Sequence, residues 1–185
     1  MNDRKVIEAI LFLADEPVPT RVLGEVLEKP KAEVEALLSS LTTEYRDADR
    51  GFVLRQVAGG WRFYTSPDCS PWLERFVRGD RQPRLTGAAL EVLAIVAYRG
   101  PIARSQITEI RGVESDSVVK TLLQRGLIEE AGREGGPGSP VLFRASGEFL
   151  ERMGINSVEE LPPLREFMPD TEAVEEMESK LSPDA

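Results

Sequence analysis

Histidine is absent from this 185-residue sequence, and cysteine occurs once, at Cys69. The first absence removes the commonest general base and the Ser-His and Cys-His nucleophile pairs. The two together leave no zinc site of the usual ligand set. A lone cysteine has no internal disulfide partner, which fits a reducing cytosol. No apolar run approaches the roughly 18 residues of a membrane span. The opening stretch MNDRKVIEAILFLADEP carries Glu8 inside its apolar run and has no small-residue cleavage site, so it reads as a structural helix and not a signal peptide. The chain reads as non-enzymatic, with no cofactor and no metal.

Positive charge is also scarce. The net charge is −9. Residues 165–185 hold seven acids against Arg165 and Lys180, a net −5, which leaves −4 for residues 1–164. A chain that neutralises DNA phosphates needs a basic face, and this balance argues against DNA as the main partner.

What is present is an alternation of periods. Val6, Ile7, Ile10, Leu11, Leu13 and Ala14 recur at three- and four-residue spacing, which predicts a helix over 3–14. Pro17 stops it. Thr20 is a candidate N-cap for a helix over 21–28, and a third helix follows Pro30 with Val34, Leu37, Leu38, Leu41 and Tyr45 on one face. FVLRQVAGGWRFYT then reads as two strands joined at Ala58-Gly59-Gly60, followed by a short helix over 70–77. Three helices closed by a hairpin describe a winged helix.

The same order recurs as helices over 86–98, 104–111 and 115–125, then strands over 127–133 and 140–145 around the loop EGGPGS. Aligning Pro17 with Pro101 gives an offset of 84, which pairs Val6 with Leu90, Leu11 with Ile95, Leu23 with Ile107, Val26 with Ile110, Val34 with Val118 and Leu38 with Leu122. The expected fold is mainly α with small β-hairpins (α+β), as two tandem winged-helix domains. The first covers 1–78 and the second 85–164, with a linker at 79–84. A closing helical segment over 146–161 caps the second domain, and residues 165–185 form an acidic tail expected to be disordered.

Candidate sites each have a plain alternative. The glycines of Gly135-Gly136-Pro137-Gly138 lie between strands with no lysine after them, so a wing tip is preferred to a phosphate loop. Arg75, Arg78, Arg81 and Arg84 recur every third residue, but Gly79 and Pro83 interrupt any helical stripe. The third helices offer Lys31 against Glu33, Glu35 and Glu44 in one domain, and Lys120 and Arg125 against Glu114 and Asp116 in the other, a poor match to a phosphate-lined groove. Acid neighbours such as Glu129-Glu130 point apart and make no dyad. Trp61, Phe63, Trp72 and Phe76 read singly as core, and as a group as a dimer surface. Val174, Met177 and Leu181 keep helical spacing in the acidic tail, which reads as solvated or as folding on a partner. Gly112 reads as a left-handed turn with Val113 packed inward, and Arg111 either bonds the carbonyls ending its helix or faces a partner.

The run LTGAALEVLAIVAYRGPIARSQITEIRGVESDSVVKTLLQRGLIEEAGREGGPGSPVLF, continued by FLERMGINSVEELPPL, closely resembles the segregation and condensation protein B family. A looser match extends through IEAILFLADEPV and GFVLRQVAGGWRFYT, so the resemblance covers about residues 5–164. Ser139, Phe143 and Ala145-Ser146 stand where the family often shows Arg, Tyr and Thr-Thr. The resemblance implies an accessory subunit of a bacterial SMC condensin-like complex that supports chromosome condensation and partition. It implies a homodimer formed through the N-terminal domain. It further implies a kleisin partner (segregation and condensation protein A), contact with the SMC ATPase through that kleisin, and a cytoplasmic, nucleoid-associated location. On this reading the kleisin-facing candidates are Tyr98, Arg99, Ile102, Arg104, Arg111 and Val113. The dimer candidates are Ile7, Leu11, Trp61, Phe63 and Trp72. A winged-helix regulator of transcription is the alternative.

Overall fold

Helix α1 spans Asp3–Leu13, started by Asn2, whose side chain accepts the Arg4 amide. Such a cap satisfies one of the donors that a helix start leaves unpaired. The computed structural model describes residues 2–77, 84–135 and 138–167. The linker expected at 79–84, apart from Arg84, lies outside those residues. So do Gly136 and Pro137 of the wing tip, and the tail beyond Phe167. No described helix is long and apolar enough to cross a membrane.

After α1 come α2 (Thr20–Leu27) and α3 (Lys31–Asp47). Strands β1 (Phe52–Val57) and β2 (Gly60–Thr65) then pair antiparallel about the two-residue turn Ala58-Gly59. Ile7, Leu11, Leu23, Val34, Leu38 and Leu54 are all but fully buried and form the first core. Burying each such side chain stabilises the fold by about 1.5–3 kcal/mol. Thr20 is the first helical residue and not the cap expected of it. Its hydroxyl instead accepts the Trp61 indole N–H at 3.1 Å, which ties α2 to the hairpin.

The segment between α1 and α2 adds a third rung to the hairpin. Val18 and Trp61 exchange both backbone hydrogen bonds, at 2.9 and 2.8 Å. Gly60 permits this approach, since a Cβ there would stand 2.6 Å from the Pro17 carbonyl.

Strand β2 leads through a 3-10 turn (Pro67–Cys69) into α4 (Ser70–Phe76), which buries none of its residues. The second unit repeats the plan with α5 (Gly87–Arg99), β3 (Ile102–Ala103), α6 (Arg104–Arg111) and α7 (Asp116–Gln124). Strands β4 (Ile128–Arg133) and β5 (Val141–Ala145) close it, and β3 pairs with β5 in the order β3-β5-β4. Ile102 thus occupies the place of Val18, at the same offset of 84. Two winged helices stand in series, as the sequence pattern implies.

The offset of 84 holds for the pair Leu23 and Ile107 and for Leu38 and Leu122, all fully buried. It slips by one elsewhere. The core partners of Ile7, Leu11 and Val34 are Val92, Val96 and Val119, while Leu90 is half exposed. Helices α1 and α5 are therefore rotated by one position relative to the expected alignment.

Helix α8 (Gly147–Met153) and a 3-10 turn (Val158–Glu160) close the second unit, with Phe149 buried in its core. The same helix also reaches the first hairpin. Glu151 accepts from Arg62 Nη1 at 2.5 Å and from the Tyr64 hydroxyl at 3.1 Å. The Ala58 amide donates to the Ile155 carbonyl at 3.0 Å. Side-chain exposures of 16% for Glu151 and 32% for Arg62 put this pair above an ordinary surface bridge.

Glu151→Ala is expected to cost about 1–2 kcal/mol, the scale of a charge-assisted hydrogen bond lost at a part-buried site. It should also speed hydrogen exchange at the Ala58 amide. Unchanged exchange there would show that Glu151 does not hold the hairpin to α8.

Candidate functional site

Among the described residues no cluster of acids and cysteine is placed to hold a metal ion. The informative features are outer surfaces.

The third helices come first, because a winged helix that reads DNA lays that helix in the major groove. The cations around α3 are already paired. Lys29 lies 2.9 Å from Glu33 and 3.4 Å from Asp3, and Lys31 lies 3.4 Å from Glu35. Arg4 pairs with Glu44. Hydrogen bonding to Glu33 raises the Lys29 pKa above the ordinary lysine value, with Asp3 adding to it. At α7, Asp116 lies 3.9 Å from Arg104. Phosphates would compete with carboxylates for each of these cations.

Helix α1 is apolar on more than one side. Ile7 and Leu11 point into the first core, yet Phe12 and Leu13 are 88% and 82% exposed. Phe12 borders an open cavity of about 570 Å³ lined by Lys5, Glu8, Ala9, Tyr45, Phe52, Phe63, Tyr64 and Thr65. The floor is an aromatic cluster. Phe63 meets Tyr45 and Phe52 edge-on, with ring centroids 5.3 and 5.4 Å apart. The Tyr45 hydroxyl donates to Glu8 at 2.7 Å. Beyond the cavity, α4 exposes Trp72 (66%) and Phe76 (88%).

These placements correct several expectations. Ile7 and Leu11 are interior residues and offer no area to a second protomer. Trp61 and Phe63 are half-buried and pack on the first core. Trp72 and Phe76 are not core residues, because α4 lies on no interior face. Phe12 and Leu13 were missed, although the run Val6 to Ala14 has Glu8 as its single charge. A helix apolar on more than one side leaves apolar area that its own core does not cover.

In the second unit the kleisin-facing candidates divide. Ile102 is buried under β5, and the Tyr98 hydroxyl donates to the Pro162 carbonyl at 2.8 Å. The Arg104 guanidinium lies 5.3 Å from the Phe143 ring centre on an exposed face, and Arg99 is exposed at the end of α5. Gly112 adopts φ 68°, the left-handed turn expected of it. Val113 does not pack inward and is 54% exposed, because the turn directs it outward.

Arg111 acts as a clip. Its side chain is 10% exposed, bonds Glu91 of α5 at 2.9 Å and donates to Ser115 at 3.1 Å. It therefore caps neither its own helix nor a free surface. Leu90 and Ile110, the chain neighbours of this bridge, are each 54% exposed, as is Val113. Leu90 and Ile110 are also absent from the sequence candidates, since each falls on a regular apolar stripe that does not by itself separate core from surface.

Two winged helices, the first with the cations around its third helix paired to acids, and both with outward apolar side chains, define a module that holds other protein chains. A family model described as "Segregation and condensation complex subunit ScpB" matches residues 5–164. Segregation and condensation protein B of Desulforamulus reducens is 44% identical over 172 residues, 93% of this chain and 94% of that protein. The crystal structure of ScpB from Mycobacterium tuberculosis is 40% identical, covers 83% of this chain and 95% of its own, and has a TM-score of 0.40. A dimer of a ScpB N-terminal domain complexed with a ScpA peptide is 28% identical, covers 40% of this chain and 93% of its own, and has a TM-score of 0.38. The chain belongs to the segregation and condensation protein B family.

Two measurements check this geometry. Arg111→Ala should destabilise the chain by about 1–3 kcal/mol in urea unfolding, because it removes the charge-assisted bonds that the largely buried guanidinium makes to Glu91 of α5 and to Ser115. A wild-type-like midpoint would mark Arg111 as a surface group. Separately, burial raises both Tyr45 and Tyr64 to about 12, with Glu8 and Glu151 adding to it. The folded values exceed the unfolded value of about 10, so this stabilisation is complete below about pH 10 and is lost as pH rises towards 12. Phenolate absorbance should show Tyr45 and Tyr64 ionising late, and thermal stability should fall over that window.

Proposed function

We propose that the chain is a non-catalytic accessory subunit of a bacterial SMC condensin-like complex. It binds the kleisin subunit, segregation and condensation protein A, and touches the SMC ATPase through it. In this role it supports chromosome condensation and partition during cell division, in the cytoplasm and associated with the nucleoid. The work divides between an N-terminal winged helix (1–78) that dimerises and a C-terminal one (85–164) that holds the kleisin, with 79–84 as the linker. The observation that carries the proposal is the family match over residues 5–164. The surfaces agree with it, since exposed Phe12, Leu13, Leu90, Ile110 and Val113 suit a protein partner better than phosphate.

The kleisin contact is assigned to Arg99, Arg104 and Val113 from the original candidates, joined by Leu90 and Ile110. Tyr98, Ile102 and Arg111 hold that surface in shape from behind.

Purified full chain should scatter light as a dimer of the 20.5 kDa subunit and co-elute with the kleisin as a larger species. Ile110→Glu should abolish co-elution while leaving the dimer intact. A stable monomer that ignores the kleisin would overturn the proposal.

A further inference from the structure

The two winged helices share no core. Among the described residues, one buried apolar cluster draws only on the first unit and the other only on the second. Polar groups carry the contact between them. Glu151 of α8 accepts from Arg62 and Tyr64 of β2, and the Ala58 amide at the hairpin turn donates to the Ile155 carbonyl. Ala58 is held at φ 52° and Gly154, just before Ile155, at φ 70°. Two left-handed turns therefore face each other across the joint. Asn or Gly is favoured where Ala58 stands, and its small side chain borders a cleft between the units.

That cleft, about 380 Å³, carries Glu16 from the first unit and Glu129, Glu148 and Glu151 from the second. Each acid of the second unit has a cation. Arg144 lies 2.8 Å from Glu129, Arg152 lies 2.6 Å from Glu148, and Arg62 lies 2.5 Å from Glu151. Glu16 has none among the described residues. Closing the joint makes the Arg62–Glu151 bridge, which favours closure. It also sets the uncompensated Glu16 against the acids of the other unit, which opposes closure.

We propose that this joint is a two-state electrostatic hinge, in which Glu151 latches the first hairpin to α8 and the charge of Glu16 keeps an open state close in energy. The magnitudes allow both states. A charge-assisted bond at a part-buried site shifts an equilibrium roughly 10-fold or more, and a like-charge contact near the surface roughly 2–5-fold. No shared apolar cluster adds to the first effect, and joints of this polar kind permit domain motion. The angle between the units is set by charge in the cleft. It fixes the spacing between the groove under Phe12 and the face of Leu90, Ile110 and Val113, which lie on different units.

The test uses the full chain with Cys69→Ser, and with dyes on Ser40→Cys of α3 and Lys120→Cys of α7, both exposed positions. Excess unlabelled chain confines energy transfer to one protomer. The otherwise unaltered chain should show one dominant distance. Glu151→Ala and Arg62→Ala should each lower the ratio of closed to open about 10-fold, and the double variant should be no worse than either alone. Tyr64→Phe loses one bond of the latch and should populate both states measurably. Adding Glu16→Gln to it should raise the ratio about 2–5-fold. Circular dichroism should not change, and the core amides of Leu38 and Leu122 should keep slow exchange, which separates hinge opening from unfolding. The same distance distribution with and without Glu151→Ala would overturn the latch. A ratio that Glu16→Gln leaves unchanged, or lowers, would overturn the hinge and leave a fixed joint.

Discussion

Each unit depends on a short strand contact made by the link between its first two helices. Val18 exchanges two backbone bonds with Trp61, and Ile102 with Ala103 pairs β5 in the same manner. The contact satisfies backbone groups that would otherwise be buried unpaired as the chain turns between helices. It also pins the hairpin across the helices, which closes the core on its open side. Gly60 is part of the same constraint, since any side chain there would strike Pro17. Without this rung the hairpin would be a two-stranded ribbon, which is marginal by itself.

A unit of this size has one interior, and it is filled by a few aliphatic side chains. The surplus goes outward. On α1 it emerges as Phe12 and Leu13, on α4 as Trp72 and Phe76, and in the second unit as Leu90, Ile110 and Val113. The polar groups follow the opposite logic. Acids pair with the cations around α3, Arg111 with Glu91, and Glu151 with Arg62 and Tyr64. These charged groups fix internal geometry, while apolar area stays exposed on the outer faces.

Glu151 joins these themes. It sits on a helix whose inner face completes the second core, yet its carboxylate serves the first hairpin. Among the described residues, the contacts between the two winged helices include this carboxylate and the bond from the Ala58 amide to the Ile155 carbonyl, both polar. Such contacts hold a geometry while leaving it open to adjustment by a bound partner.

The sequence by itself determined the helix order, both hairpins, the left-handed turn at Gly112 and the family. These follow from local periodicity, turn chemistry and quoted motifs, which need no knowledge of distant neighbours. Tertiary structure alone decided which apolar residues were core. Ile7 and Phe12 are both apolar residues of one helix, yet one is interior and the other 88% exposed. Helix rotation, shifted by one position between α1 and α5, sets that difference, and it is fixed by what packs against the helix. The partners of Arg111 and Glu151 were hidden for the same reason. A charged side chain declares its sign in the sequence, but the group it meets lies 20 residues away in one case and 89 in the other.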